Sequence, residues 1–464
     1  VGSSLFESVA RSYGEIVAKI NPLREDLKGS RRLYGSMAET KGKAGAEKRV
    51  LIVRGSFASL GGAERELLQL IRATSQRWNV SLASLDLTKD AQDLLDDASV
   101  RLLLPPTAMK WPAGAVAEIM AKASTSAQKM WQSINIPWDE FDAVHMSVCR
   151  GTLELLPLIP AHLPVHYHCL EPPRWLYEDV LHRRIDGTPK RPLWLTKILF
   201  TRQRRRDRAF VQRLLQRPNA SISGNSMWIQ KRLKAVYGIA SDESKENGQP
   251  PKRDSKARPL EATHVMHVID WGLWPEKPPK SEAKSLKELE GIPEHYVVTV
   301  GRISHVKGTW ETLQSLKETG LALVQVGGGE QSDKAALLAE GERIGVEVVC
   351  MPRLSQIQLC GLIRGARAMV SHAHHEPFGL TPIEAMAIGV PALMVDEGGF
   401  ACTMSPVDSG LLLPRDDLGA WKAAYLDAKD PVLRKAWAES GRPYVEKHFT
   451  LEVQIAALEQ MMNF

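Results

Sequence analysis

The sequence predicts an α/β fold of two successive domains, each with a parallel sheet covered by helices on both faces. Residues 49–53 form a short apolar run, and a glycine-bearing loop and an amphipathic helical stretch follow it. A second series of apolar runs, again separated by helical stretches, begins at residues 296–301. Strands that alternate with helices favour parallel sheets, because each crossover helix lies on a face of the sheet.

The same patterns divide the 464 residues into four parts: an N-terminal extension and linker (1–48), a first α/β domain (49–270), a second α/β domain (271–440) and a C-terminal helix (441–464). The extension is set apart because its second half is small, charged and glycine-containing, as linkers are. The last helix is amphipathic and places four apolar residues on one face, namely Leu451, Ile455, Leu458 and Met462.

Composition excludes several classes of protein. Apolar residues make up 44% of the chain and charged residues 25%, which are globular values and argue against a disordered, collagenous or coiled-coil protein. No apolar run approaches the length of a membrane-spanning helix, and no N-terminal segment resembles a secretory signal. The five cysteines form no C-x-x-C pair. We therefore expect a reducing, cytoplasmic location without disulfides or a thiolate zinc site.

Positive charge is concentrated in one segment. The whole chain carries a net charge of +6, whereas residues 181–217 contain twelve Lys or Arg and two Asp. The rest of the chain is therefore slightly acidic. A local patch of this kind argues against a protein that binds nucleic acid over its whole surface, and we expect no nucleic-acid partner.

A helix start is predicted at residues 381–384. Thr381 fits the N-cap, Pro382 the first helical position and Glu384 the third, which together make a capping box. On that interpretation alone, Glu384 would do no more than cap its own helix.

A second carboxylate favours a binding site at this helix start. Glu376 lies eight residues before Glu384, with Phe378 and Gly379 between them. Glycine lets the backbone approach a ligand, and the unpaired N–H groups of a helix start suit a phosphate. Carboxylates on either side of such a loop can bind sugar hydroxyls.

Two cations lie around the turn after the first strand of the second domain. Gly301 and Arg302 follow the apolar run directly, and Lys307 comes five residues later. An arginine and a lysine at this spacing can clamp a diphosphate. The alternative is an ordinary solvated basic loop.

These motifs resemble those of the retaining glycosyltransferases of family 4, which have the GT-B fold of two facing Rossmann-like domains. The loop resembles their E-x7-E motif, and 301–308 resembles their G-R-x-x-x-x-K-G segment. The resemblance implies that Glu376 contacts the transferred sugar, that Glu384 binds the ribose, and that Arg302 and Lys307 bind the donor phosphates. It further implies a C-terminal helix that returns to the first domain. The donor-binding backbone is expected at Gly301, Phe378, Gly379, Leu380 and Thr381.

Glycine turns extend the resemblance. Gly61 and Gly62 follow the first predicted strand and, with Ala63 and Glu64, resemble the family's GGAE turn, which faces the diphosphate and the acceptor. On its own a glycine pair is weak evidence, since tight strand–helix turns need glycine anyway. The pair at 398–399 also matches, although Cys402 stands where the family often has Glu. The resemblance implies that the first domain binds the acceptor and the second the donor.

Residues 165–177 resemble a C-H-E-P-P-R-like segment found in a branch of the family that includes mannosyltransferases. Members often place a catalytic histidine here, but the aligned position is Leu170. His168 could substitute for it in a shifted register, or could be an ordinary histidine at a strand end. Arg174 could pair with Glu171 or bind an anionic acceptor.

Three clustered histidines raise the question of a metal. Alternate residues of a strand share a face, so His372 and His374 could chelate an ion. No complementary carboxylates are apparent, and the resemblance implies a reaction that needs no metal. We therefore expect no metal and no cofactor, with a nucleoside diphosphate sugar as the substrate.

The basic patch has two interpretations. Apolar and aromatic residues flank its cations in 193–208, as in helices that lie on a membrane surface. The alternative is a solvated helix over the first domain. A lipid-linked acceptor would favour the membrane and a peripheral location on its inner face.

The resemblance implies a retaining hexosyltransferase that acts on a hydroxyl of a glycan, lipid-linked or small acceptor. The mannosyltransferase-like Pro-Pro-Arg segment at 172–174 favours GDP-mannose as donor. Two alternatives are a nucleotide-sugar epimerase on the same fold and a non-catalytic protein that binds a sugar nucleotide or a glycan. The intact Glu and Arg/Lys pairs argue against the latter.

Overall fold

The computed structural model describes residues 48–58, 61–96, 98–112, 122–239, 263–264, 271–404 and 409–462. The predicted extension (1–48), apart from Lys48, and nearly all of the segment 240–270 lie outside the described residues.

The first lobe, residues 48–264, is built on a parallel sheet of seven strands. They are β1 (Lys48–Val53), β2 (Trp78–Ala83), β3 (Arg101–Leu103), β4 (Ala143–Ser147), β5 (Val165–His168), β6 (Ala220–Gly224) and β7 (Thr263–His264). Their order across the sheet is β3-β2-β1-β4-β5-β6-β7. Its described helices are α1 (Gly62–Thr74), α2 (Lys89–Asp93), α3 (Lys122–Gln132), α4 (Arg174–Tyr177), α5 (Leu193–Leu199), α6 (Thr201–Leu215) and α7 (Met227–Tyr237).

Strand β1 shows why its apolar run is continuous. Leu51 and Val53 belong to the hydrophobic cluster on one face of the sheet, whereas Val50 and Ile52 belong to the cluster on the other. Successive side chains of a strand point to opposite faces, so a strand covered on both faces must be apolar at every position.

The second lobe, residues 271–448, has a parallel sheet of six strands. They are β8 (Tyr296–Val300), β9 (Ala322–Val326), β10 (Val348–Met351), β11 (Met369–Ser371), β12 (Ala392–Val395) and β13 (Gly410–Leu413), in the order β10-β9-β8-β11-β12-β13. Its described helices are α8 (Glu282–Lys287), α9 (Thr309–Ser315), α10 (Gln331–Ile344), α11 (Gln356–Gly365), α12 (Leu380–Ala387), α13 (Phe400–Met404), α14 (Leu418–Asp427) and α15 (Pro431–His448).

The last helix, α16 (Leu451–Met462), returns to the first lobe. Ile455, Leu458 and Met462 are buried in the hydrophobic cluster that also contains Val50 and Leu67. The Oγ of a β6 serine donates to the carbonyl of Met461 over 2.8 Å. The predicted return of the C-terminal helix and the predicted pair of parallel sheets are therefore confirmed.

Candidate active site

An ion pair between two loops of the second lobe forms the centre of the site. The Nζ of Lys307 donates to Oε2 of Glu376 over 2.8 Å, and the two side chains are 36% and 18% exposed. Lys307 ends a 3₁₀ turn after β8, and Glu376 lies in the loop after β11. β8 and β11 are neighbours in the sheet, so their carboxyl ends bring the two loops together.

Glycines allow these loops to pack closely. Gly308 has a φ of 62°, and a Cβ there would lie 1.9 Å from the carbonyl oxygen of His372. At Gly398, with a φ of 62°, a Cβ would lie 2.6 Å from the carbonyl oxygen of Glu376. A side chain at either position would displace the loop that carries one member of the ion pair.

Helix α12 starts two residues earlier than the sequence predicts, so the predicted N-cap is wrong. The N-cap is Gly379, which has a φ of 94° and makes no side-chain capping bond, whereas Thr381 lies inside the helix. Glycine adopts this left-handed conformation without steric cost. The chain can therefore turn into the helix at Gly379, two residues before Thr381. Phe378 lies just before this turn and is buried, at 4% exposure.

Because the helix begins at Leu380, Glu384 is its fifth residue and has no capping role. The interpretation of Glu384 as a simple cap is therefore excluded. Burial raises the pKa of its carboxyl to about 7. This carboxyl lies one turn inside the helix start, on a residue of intermediate exposure.

The glycine turn of the first lobe faces this helix start. A Cβ at Gly62 would lie 3.8 Å from Cδ1 of Leu380. The turn is held by Glu64, whose Oε2 accepts from the backbone N–H of Gly61 over 2.9 Å. The buried Arg54 at the end of β1 in turn pairs with Glu64. The structure thus brings Gly61 and Gly62 opposite the predicted donor-binding backbone.

Three side chains of the first lobe bind the loop that contains Glu376. Nη2 of Arg174 donates to the carbonyl oxygen of His374 over 2.6 Å. Ser226 donates to the carbonyl oxygen of Pro377, and the ring of Trp228 stacks on His375. The described residues of the two lobes therefore meet at residues 374–377.

Arg174 also forms ion pairs within the first lobe. Its Nε lies 2.9 Å from Glu178 and 3.8 Å from Glu171. Burial raises the pKa of Glu171 to about 7, which Arg174 opposes and the negative charge of Glu376 reinforces. Glu171 is a site residue that the sequence prediction left out, although the Glu-Pro-Pro-Arg segment could have indicated it.

His168 lies in the core of the first lobe. It is 5% exposed, and its Nδ1 lies 2.8 Å from Oγ of Ser223. That oxygen also lies 2.8 Å from Nε2 of His166, whose Nδ1 lies 3.0 Å from that of His145. This placement favours the interpretation of a strand-end histidine.

Arg302 and Gly301 lie at the end of β8 as predicted. Arg302 is exposed, and the N–H of Gly301 donates to Val326 over 2.9 Å. Gly301, Arg302 and Lys307 therefore all lie in the loop that follows β8.

The two histidines considered as a chelating pair separate in the structure. His372 is buried against the ring of Trp421, with a centroid separation of 3.7 Å, and its Nδ1 lies 3.1 Å from the hydroxyl of Thr312. His374 instead contacts Glu311 of α9 over 2.8 Å. The pair diverges because β11 ends at Ser371, so the alternation of a strand no longer applies.

Most of the basic patch, from residue 193 to residue 215, lies in helices α5 and α6. Phe210, Val211 and Leu214 of α6 are buried in the first lobe. Trp194 and Ile198 of α5 are instead 64% and 62% exposed. Among the described residues, no helix combines the length and the apolar character needed to cross a bilayer.

Comparison with known proteins identifies the second lobe. Residues 282–443 match the family model described as "Glycosyl transferases group 1". The chain is 28% identical over 184 residues to D-inositol 3-phosphate glycosyltransferase of Mycolicibacterium smegmatis, a match that covers 37% of this chain and 42% of the relative. It is 30% identical over 217 residues to the lipopolysaccharide core biosynthesis mannosyltransferase LpsB of Rhizobium meliloti, covering 42% of this chain and 59% of the relative. The matches thus span about half of these relatives.

Solved structures share the whole architecture. Anabaena HepE in complex with UDP and glucose has a TM-score of 0.58 at 16% identity, covering 90% of this chain and 100% of that one. Sucrose-phosphate synthase of Thermosynechococcus elongatus has a TM-score of 0.61 at 16% identity, covering 90% and 98%. The chain has the GT-B fold, and the resemblance to glycosyltransferases is confirmed, while the retaining mechanism stays a prediction.

Proposed function

We propose that this chain, whose residues 282–443 are a glycosyl transferases group 1 domain, moves a hexose from a nucleoside diphosphate sugar to an acceptor hydroxyl with retention of configuration. The observation that carries the proposal is the pair of Lys307 and Glu376, 2.8 Å apart, at the place where the two lobes meet. A cation and a carboxylate side by side there suit a substrate with an anionic leaving group and a hydroxyl-rich sugar.

The donor diphosphate lies against Lys307, Arg302 and the N–H groups at the start of α12. As the bond to the sugar breaks, negative charge grows on the departing phosphate, and preorganised cations and N–H dipoles stabilise that charge. The glycine turn at 61–62 closes the site from the first lobe. It has no side chain to obstruct the diphosphate or the acceptor.

Two carboxyls hold the carbohydrate parts of the donor. Glu376 accepts hydrogen bonds from the hexose and stabilises positive charge on its ring, whereas Glu384 accepts from the ribose. The C1–O bond to phosphate breaks, and the acceptor oxygen bonds to C1 on the same face. The acceptor proton passes to the phosphate oxygen, and nucleoside diphosphate leaves. No metal takes part in this sequence of bond changes.

GDP-mannose is the proposed donor. The Pro-Pro-Arg segment at 172–174 and the match to a mannosyltransferase of Rhizobium meliloti support it. The test is thermal unfolding of the full chain with GDP-mannose, UDP-glucose or UDP-galactose, because a ligand at 100 times its Kd stabilises by about 2.7 kcal/mol. Stabilisation by UDP-sugars alone would contradict the choice of GDP-mannose and leave the reaction class intact.

The reaction itself is tested by product analysis with the stabilising donor and a panel of lipid-linked and soluble glycans. Release of nucleoside diphosphate with a retained anomeric linkage in the product, observed by NMR, supports the proposal. Release of a free altered sugar would indicate an epimerase. Donor binding without release of diphosphate in any acceptor mixture would indicate a binding protein.

We further propose that residues 193–208 bind an anionic membrane surface and that the enzyme takes its acceptor from that surface. Trp194 and Ile198 are exposed on α5, and Lys197 beside them is also exposed. An apolar edge next to cations is the combination that binds the interface of anionic lipids.

Flotation with phosphatidylglycerol-containing and neutral vesicles tests this surface. The double variant W194S/I198S should lose binding to anionic vesicles. The matched variant L426S/V432S, which removes two apolar residues exposed at 70% and 75% on the second lobe, should retain it. Equal binding by both variants, or none by the unaltered chain, would refute the membrane surface.

A further inference from the structure

Three side chains from three separate elements converge in the loops that carry the ion pair and in the helix beside them. His305 lies in the 3₁₀ turn after β8, Glu311 in α9, and His374 in the loop after β11. Nε2 of His374 lies 2.8 Å from Oε1 of Glu311, and Nδ1 of His305 lies 3.6 Å from the same oxygen. One ligand atom from each residue falls within 4.8 Å of the others.

Two atoms of this cluster are buried and have no hydrogen-bond partner in the part of the chain that the structure describes. They are Nδ1 of His305, whose residue is 8% exposed, and Oε2 of Glu311. A buried polar atom without a partner costs about 1–3 kcal/mol, so native structures rarely retain one without a reason. Both atoms belong to groups that coordinate metal ions.

We propose that His305, Glu311 and His374 bind one divalent transition-metal ion, with Zn²⁺ as the best fit and water as the remaining ligand. Two imidazoles and one carboxylate form a donor set suited to Zn²⁺, whereas Mg²⁺ and Ca²⁺ prefer oxygen ligands alone. Zn–N and Zn–O bonds of about 2.0–2.2 Å place tetrahedral ligands roughly 3.3–3.6 Å apart. The 3.6 Å separation of His305 and Glu311 already has this length, whereas the 2.8 Å hydrogen bond between His374 and Glu311 has to open by roughly 0.5 Å when the ion binds.

The charges around the site are mixed, because Arg183 and Arg415 both oppose positive charge on His305 whereas Glu311 favours it. Nη1 of Arg415 lies 3.5 Å from Nε2 of His374, but the same guanidinium forms two bonds of 2.7 and 2.8 Å with the carboxylate of Glu397. That carboxylate offsets the arginine charge next to the site. Glu311 supplies the negative charge that the ion itself requires.

The site holds together the two loops that carry the active-site ion pair. His305 comes two residues before Lys307, and His374 two residues before Glu376. The ion is therefore a positioning element that touches neither the donor nor the acceptor. It leaves the bond changes of the transfer reaction metal-free and stands independently of the proposed reaction.

The test measures metal binding directly. Full-length protein, first treated with a chelator, is titrated with Zn²⁺ and its metal content measured after desalting. We expect one ion per chain. E311Q and H374A should each weaken binding by more than about 100-fold, since even the loss of an outer-shell partner costs 10–100-fold. The exposed His162 provides the control H162A, which should bind like the unaltered chain.

A second measurement needs no variant. Co²⁺ bound at this site should show the visible absorption of a tetrahedral nitrogen–oxygen site without a thiolate charge-transfer band. A thiolate band would place the metal at one of the five free cysteines and overturn the proposal. Less than about 0.1 ion per chain, or equal affinity in the unaltered chain and in folded E311Q, would also overturn it.

Discussion

Replacement of Lys307 by methionine separates the catalytic role of the ion pair from its structural role. Methionine keeps an unbranched side chain of similar length, so the contact of the lysine stem with the loop survives while the charge is lost. The ammonium group that lies 2.8 Å from Glu376 disappears. In the proposed reaction the same group stabilises the departing diphosphate.

The structure predicts very different magnitudes for the two roles. Because the side chains are 36% and 18% exposed, the ion pair is partly solvated and contributes about 1 kcal/mol or less to the free energy of unfolding. The Tm should therefore fall by no more than about 2–4 °C. Loss of a preorganised donor at a developing charge costs roughly 2.7–4 kcal/mol in the transition state, or about 100- to 1,000-fold in kcat.

Nucleoside diphosphate release and thermal unfolding of K307M, measured on one preparation, test the prediction. The control is K435M, which removes a 76%-exposed lysine from an i,i+4 ion pair in α15 and should change neither quantity appreciably. A folded K307M that turns over within about threefold of the unaltered chain would refute the assignment. A rate loss accompanied by a fall in Tm of more than about 10 °C would indicate a structural role instead.

Four further outcomes are expected from burial and backbone geometry. Because the pKa of Glu384 is about 7, its carboxyl group loses its proton only as the pH rises past 7. The KM for the donor should therefore rise as the pH falls from 8 to 6. E384Q, which has no carboxyl group, should show a flatter dependence of this KM on pH. Because the pKa of this carboxyl is higher in the folded protein than its ordinary value of 4.5, Glu384 destabilises the fold more and more as the pH rises from 4.5 to 7. E384Q should remove this contribution, so the Tm of the variant should lose less than that of the unaltered chain as the pH rises across that window. G308A should lower the Tm much more than the matched variant G238A does. Both glycines have left-handed φ values, 62° and 66°, so the backbone strain is similar. At Gly308, however, a Cβ would also lie 1.9 Å from the carbonyl oxygen of His372, whereas nothing lies within 4 Å of a Cβ at Gly238. I455A should cost about 2–5 kcal/mol in denaturant unfolding, since Ile455 is 2% exposed between α16 and the first lobe.

Hydrophobic periodicity predicted the two parallel sheets, whereas the GT-B arrangement and the return of the C-terminal helix were implied by the resemblance to family 4. The apolar run at 49–53 became β1, and the run at 296–301 became β8. Ile455 and Leu458 are buried as the helical period predicts. These predictions hold because a parallel strand buried on both faces and an amphipathic helix leave strong, local patterns in the sequence.

Local rules failed where a distant contact or a glycine decided the outcome. Thr381 has the residue types of a capping box around it, but the left-handed Gly379 starts the helix first. Glu311 has no motif of its own and becomes a neighbour of His374 only because α9 packs beside β11. No spacing rule in the sequence relates positions 63 residues apart.

The lobe contacts and the active site share one segment of backbone, and this has a mechanical consequence. Arg174, Ser226 and Trp228 of the first lobe all attach to residues 374–377, so Glu376 lies inside the segment that joins the lobes. Lys307 reaches Glu376 entirely within the second lobe. Separation of the lobes would break the first set of contacts while leaving the ion pair in place. The position of the Glu376 backbone is therefore coupled to the closure of the lobes. The 3₁₀ turn that ends at Lys307 also packs against residues 180–182 of the first lobe, so closure affects both members of the ion pair. Because the proposed transfer excludes water only when the lobes are together, the same contacts would align the sugar-binding carboxylate at the moment when the site is closed.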